Sequence, residues 1–372
     1  MFRLITILMV ALSSFSGLAA SSVVECLTHP VDIISPQLLQ QSDRAVVVDN
    51  TTIRLPEVLD ALTQGKIKLC TSHVSDMYKL FADAKHFNQP IGSWDVSNVT
   101  DMGSMFAGAV EFNQPIGGWD TSKVLNMRSM FSEAASFDQN IREWNTSSVK
   151  DMNSMFAYAR NFDQDIGGWD TSNVINMGWM FYRALSFDQP ILNWNISKVL
   201  STRSMFSDAV SFNQNLAEWD TSSVKDMNSM FDGARYFNQP IGGWDTGNVR
   251  GMGGMFNRAY RFDQYIGRWN TKNVRDMGHM FDSAYNFNQP IGSWDTSKVT
   301  NMEFMFKDAY VFDQSIGRWD TANVTNMYMM FLNARLFNQP IGEWDVSKVL
   351  NMRSIFRGAT SFSQDLDAWQ LL

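Results

Sequence analysis

Carboxylates and carboxamides are the groups in this chain with the numbers and the spacing to do chemistry. Asp138, Asp163, Asp188, Asp263 and Asp313 fall in one slot of a 25-residue period, and Asn88, Asn113, Asn213, Asn238, Asn288 and Asn338 occupy the same slot in other copies. A carboxylate can move a proton or hold a cation, whereas a carboxamide does no acid or base work. What the two share is a side-chain oxygen that accepts a hydrogen bond. The slot therefore predicts hydrogen bonding, with weak calcium binding along the row as the minor alternative. The glycine-rich nonapeptide of calcium-binding solenoids is absent. The four histidines, His29, His73, His86 and His279, are scattered, and no HExxH, GxSxG or P-loop pattern occurs. No catalytic residue, metal ligand or cofactor is assigned, and the expectation is a protein that is not an enzyme.

The elements that must position these rows follow from the same period. Twelve tryptophans, from Trp94 and Trp119 through Trp344 to Trp369, stand 25 residues apart without an insertion or deletion. A fixed period of that length means units that cannot bury their apolar faces alone and must stack on their neighbours. In residues 96–119 the apolar positions Met102, Met105, Phe106, Ala109 and Phe112 fall on one face of a helix. Asp101 stands where an N-cap belongs, a slot that also holds Asp76, Asn126, Asp151 and Ser201. Gln114, Ile116 and Trp119 suit a short strand beginning after the proline slot, since a paired strand residue must donate its N–H. The Asp or Asn after each Trp suits an Asx turn. Each coil is thus expected to hold a short strand, a turn, a second short extended leg beginning at Val99 or Val124, and a short helix. Strands stack roughly 4.8 Å apart and helices roughly 8–10 Å apart, so unequal rows should curve the solenoid. The Met, Phe, Ile and Trp rows are the predicted core.

Three segments are expected. Residues 1–20 read as a signal peptide, with Arg3, an apolar run from Leu4 to Leu12, and small residues at Ala19 and Ala20. Residues 21–70 read as an N-terminal cap, with a strand at 45–48 and a helix over 55–65 that has Pro56 at its first position and Gly65 at its stop. Residues 71–372 are the solenoid. Cys26 and Cys70 bracket the cap and can pair there if the chain is exported, the alternative being two free thiols. The last coil ends at Trp369 to Leu372 without a polar cap, which predicts self-association through it or a truncated gene model. The apolar run of the leader is shorter than the roughly 20 residues of a membrane span, and the mature chain shows no second candidate.

The unit V-x-x-M-x-x-M-F-x-x-A-x-x-F-(N/D)-Q-x-I-x-x-W-(D/N), here Val99, Met102, Met105, Phe106, Ala109, Phe112, Asn113, Gln114, Ile116, Trp119 and Asp120, resembles the repeat of BspA-like surface proteins. The resemblance implies a leucine-rich-repeat-like α/β solenoid, right-handed, in a secreted or cell-surface protein of the adhesion kind, with no catalytic residues to carry over. Anchoring is not implied in the same way: Val23-Val24-Glu25-Cys26 puts Glu25 where a lipobox has a small residue.

Function must then be written in slots that the scaffold leaves open. Net charge is −8 and dispersed, which gives no footprint for nucleic acid. One concentration stands out against it: Arg258, Tyr260, Arg261, Tyr265 and Arg268, with Arg235, Tyr236, Lys272 and Arg275 around them. Arg and Tyr are favoured in contact patches, so these are the candidate partner-binding residues, for an extracellular protein or glycan. Two other readings compete. An ice- or crystal-binding solenoid would need the Thr-Ser rows, such as Thr121-Ser122 and Thr146-Ser147, flat and outward. A carbohydrate-active enzyme would need a groove with two carboxylates that break the repeat.

Overall fold

The computed structural model describes residues 30–40 and 45–369. The expected signal peptide, Cys26 and the last residues, 370–372, lie outside the described residues. The first elements form a small unit at one end of the coil stack. Strand β1 (Ala45–Asp49) pairs in parallel with β2 (Lys68–His73), and helix α1 (Pro56–Thr63) crosses between them. Pro56 opens α1, where its missing N–H costs nothing. Gly65 follows the helix with φ +68, a left-handed conformation that glycine adopts without strain. Val58, Ala61 and Leu62 are the buried face of α1 and join the apolar core of the first coil. Cys70 is buried on β2.

The repeats form a solenoid, but its coils are not built as the periodicity predicts. Among the described residues α1 is the only α-helix, and the segment expected to be helical is a run of tight turns. In the coil that starts at Asp101, alternate N–H groups leave the coil: Met102, Ser104, Phe106 and Gly108 donate to the carbonyls of Asn126, Arg128, Met130 and Ser132 at 3.0, 2.7, 2.9 and 2.7 Å. The N–H groups between them close local turns, Met105 to Met102, Ala107 to Ser104 and Ala109 to Phe106. A helix would keep all these bonds inside the segment. It would also need negative φ throughout, whereas Ser104 has φ 54 and Gly108 φ 74. The i, i+3, i+4 spacing of Met and Phe survives because three-residue turns bring the same positions inward as a helix does.

Stacking explains why turns win. Phe106 lies 5.6 Å from Phe131, Phe112 lies 5.9 Å from Phe137, and Trp119 lies 6.3 Å from Trp144, all nearly parallel. Helix axes packed side by side need roughly 8–10 Å, whereas these segments are joined coil to coil by direct backbone bonds such as Phe106 N–H to the Met130 carbonyl at 2.9 Å, an approach that a row of helices does not allow. The unequal-spacing argument for curvature falls with the helices. Pairing is also displaced from its expected place after the proline slot. It occurs at the slot read as an N-cap, where eleven parallel bridges run from Asp76–Asp101 to Asn326–Asn351 among the described residues. The side chains there do cap, but in Asx turns: Gly103 N–H donates to Asp101 Oδ1 at 2.7 Å.

The inward rows are those the sequence marks. Met102, Met105, Phe106, Ala109, Phe112 and Ile116 are fully buried, and Trp119 nearly so. From Trp119 onward the indole N–H groups of this row reach back to the previous coil, as from Trp119 to the Ile91 carbonyl at 3.3 Å and from Trp144 to Ile116 at 3.0 Å. The Asn/Asp slot does the work that its interchangeability predicts. Asp138 N–H donates to Asn113 Oδ1 at 3.0 Å, Asp163 N–H to Asp138 Oδ1 at 3.0 Å, and the following glutamine amide donates to the same oxygens. Only an acceptor is needed, so either residue serves.

Candidate interaction surface

The side chains that differ from coil to coil gather on the outer side of the turn segment. Inward positions there are occupied by Met, Phe and Ala, which leaves the two residues after each buried Ala, and the left-handed positions before it, unspecified by packing. One such row reads Val110, Ala135, Arg160, Leu185, Val210, then Arg235, Tyr260, Tyr285, Tyr310 and Arg335. The three tyrosines stack, Tyr260 on Tyr285 at 4.6 Å and Tyr285 on Tyr310 at 4.9 Å between ring centres. A guanidinium closes each end, Arg235 over Tyr260 at 5.4 Å and Arg335 over Tyr310 at 4.6 Å. Such contacts hold flat side chains in one orientation at the surface. Burial raises the Tyr285 phenol, with Tyr260 and Tyr310 adding to the shift, so the hydroxyl stays protonated and able to donate. In the adjacent row Arg261 lies 4.6 Å over Tyr236, which is 48% exposed.

The predicted patch therefore divides. Tyr260 and Arg261 belong to this ladder, and Arg235 and Tyr236 with them. The charge of Arg258 is already engaged within the scaffold, its guanidinium bridging Asp232 at 2.8 Å and Asp208 at 3.2 Å while the side chain stays partly exposed. Burial pushes the Asp232 carboxyl up, and Arg258 only partly offsets it. Tyr265 and Arg268 come after the buried Phe262, on the proline side of the coil, where Tyr265 lies against the backbone of Gly242 and Gly267 and is 47% exposed. Among the described residues no ring contact or ion pair joins them to Tyr260. Sequence reading missed Tyr285, Tyr310 and Arg335, which are far from Tyr260 in the chain but share its slot. The signal was present in the 25-residue register and absent from local clustering.

A second charged group lies on the same outer side. Asp282 meets Lys307 at 3.0 Å and His279 at 3.1 Å, and Lys307 also meets Asp308 at 3.2 Å. Burial opposes the Asp282 carboxylate, but hydrogen bonds from His279 and Lys307 overcome it and hold its pKa below the ordinary carboxylate range. These carboxylates are committed to partners inside the scaffold. Among the described residues no group of three or more His, Cys, Asp or Glu is placed to hold a metal ion, and no helix is long and apolar enough to cross a membrane.

The class that this architecture defines is a repeat solenoid with buried aromatic ladders and an outer face that varies from coil to coil. The chain belongs to the family described as "Mycoplasma protein of unknown function, DUF285", which matches residues 58–158, 114–218, 138–241, 205–309 and 287–371. Among solved structures, a leucine-rich-repeat protein of Leptospira interrogans aligns over 89% of this chain and 86% of its own at 6% identity, with a TM-score of 0.23. A superposition that loose bears no argument. No curated protein matches the chain.

Proposed function

We propose that this is a secreted or cell-surface, non-enzymatic interaction protein whose solenoid presents the Arg/Tyr ladder to an extracellular protein or glycan. The observation that carries the reading is the ladder itself: Arg235, Tyr260, Tyr285, Tyr310 and Arg335 stand in one row on a face that packing leaves unspecified. Five adjacent coils devote that slot to the residue types that anchor interfaces. The leader-like residues 1–20 support export, and the repeat's resemblance to BspA-like surface proteins supports adhesion. An exported chain would also pair Cys26 with Cys70 across the cap. A right-handed coil of twelve turns fits the handedness of parallel crossovers.

The ice-binding alternative has less support, because the threonines it needs outward are inward. Thr121 and Thr146 are buried and donate to the next coil's carbonyls, those of Asn145 and Asp170, at 3.0 and 2.9 Å. The test is to probe protein and glycan arrays with the purified secreted chain beside a Tyr260→Ser, Tyr285→Ser, Tyr310→Ser variant. Binding that the variant loses supports the ladder as the contact. Binding that it keeps moves the contact elsewhere, and cleavage of a polysaccharide on the array would overturn the non-enzymatic reading.

A further inference from the structure

One row beside the bridge ladder changes character along the axis. It carries Leu125, Lys150, Ile175 and Leu200, then Lys225, Arg250 and Arg275, then Thr300 and Thr325. Arg250 and Arg275 donate their backbone N–H groups to the carbonyls of Lys225 and Arg250 at 2.9 and 3.0 Å. Successive cations are therefore one coil apart, roughly 4.8 Å by the usual spacing of paired strands. From the row alongside, Lys298 donates to Asn273 Oδ1 at 2.8 Å. These four cations, with Asn248 and Asn273, line a cleft of about 230 Å³.

Among the described residues no carboxylate forms an ion-pair contact with any of the four, and only Asp295, held by Ser297, feels the charge of Lys298 from farther off. The acids next to them in the chain are turned away: Asp226 accepts from Asn228 N–H at 3.0 Å and meets Arg203 at 3.6 Å, while Asp276 accepts from Gly278 N–H and Asn301 Nδ2, both at 3.0 Å. At the position beside Arg250 the acid is replaced by Gly251. Like charges at this separation repel by about 1 kcal/mol even in bulk water. The scaffold has no use for that cost, since Leu, Ile and Thr fill the slot in other coils. A ligand that brings negative charge at coil spacing offsets it.

We propose that Lys225, Arg250, Arg275 and Lys298 form a binding cleft for an acidic polysaccharide, carrying sulfate or carboxylate groups along an extended chain. Three stacked cations span about 10 Å along the axis, two steps of the strand spacing, which suits a run of charges better than one small anion. The rest of the lining is amide, which hydrogen-bonds hydroxyls. No aromatic side chain lines the cleft, and single-stranded nucleic acid is normally held by base stacking as well as charge. The cleft is separate from the tyrosine ladder, so either site can fail without the other.

The test uses the full secreted chain and measures binding to a heparin oligosaccharide, polygalacturonate, neutral dextran and oligo(dT) over a salt series. Heparin carries the sulfate case and polygalacturonate the carboxylate case. An Arg250→Gln, Arg275→Gln variant should bind the preferred acidic glycan roughly tenfold or more weakly, with a salt slope shallower by about two charges. Lys150→Gln, which removes a lone cation of the same row, should bind as the parent does, and near-UV circular dichroism should show all three folded alike. Equal binding by parent and double variant would overturn the proposal. So would binding of dextran as tight as that of the glycans, tighter binding of oligo(dT), or no binding of either acidic glycan.

Discussion

Truncating one tryptophan in the middle of the stack tests the architecture most directly. Trp219 is 3% exposed, its ring lies 6.3 Å from both Phe206 and Trp244, and its indole N–H donates to the Ile191 carbonyl at 3.1 Å. Removing a buried Trp side chain costs about 3–5 kcal/mol through lost transfer energy and the cavity left behind. The Ile191 carbonyl loses its donor as well, which adds about 1 kcal/mol. Trp219→Ala should therefore lose about 4–6 kcal/mol, while Trp219→Phe, which keeps a ring and drops the donor, should lose roughly half as much. Backbone bonds and ring stacks join each coil to its immediate neighbours, so an interior defect of this size should also loosen the coupling between the two halves of the array. In urea melts followed by circular dichroism, the Ala variant should unfold earlier than the parent and over a broader range. Melts of parent and Ala variant that superimpose would show that the indole row does not hold the coils together. A Phe variant as damaged as the Ala variant would show that the donor, and not the ring, carries the energy.

Four further outcomes follow from particular residues. Thr202 replaces a methionine of the inward row, between the buried Met177 and Met227, and its hydroxyl has no hydrogen-bond partner. Thr202→Val should raise stability by about 1 kcal/mol in a denaturant melt, because an orphan hydroxyl is removed at nearly constant volume. Hydrogen bonds from Ser122 to Asp120, Ser172 to Asp170 and Ser222 to Asp220 lower those carboxyl pKa values in the fold. The unfolded chain then binds protons first, so this contribution is intact above the ordinary carboxylate range and is lost as pH falls through the folded values. Thermal melts should lose stability only at acid pH, and replacing all three serines with alanine should flatten that loss. Arg258→Ala leaves Asp208 and Asp232 without their shared cation, so it should cost about 1 kcal/mol while array binding through the tyrosine ladder persists. Deleting residues 170–219 removes two whole periods, and the shortened chain should keep the parent's circular dichroism per residue and melt cooperatively.

The 25-residue register determined a great deal by itself. It required a stacked solenoid, since no single unit can bury Met102, Phe106, Phe112, Ile116 and Trp119 alone. Because Asp and Asn interchange at 113, 138 and 163, it also showed that the polar slot works as an acceptor. The N-terminal strand and helix were equally legible from Pro56, Gly65 and the apolar face between them. What the register could not decide was where the backbone hydrogen bonds of residues 102–109 go. A helix and a chain of three-residue turns turn the same residues inward, and only the stacking distance separates them. With Phe106 stacked on Phe131 and its N–H bonded to the Met130 carbonyl of the next coil, the backbones approach more closely than the axes of packed helices do. The surface was decided in the same way. Residues 25 apart become neighbours only when coils stack, so Tyr260, Tyr285 and Tyr310 form one row, and Lys225, Arg250 and Arg275 another. Arg258, which the sequence placed in the patch, is drawn into the scaffold by Asp208 and Asp232, two carboxylates that come from preceding coils.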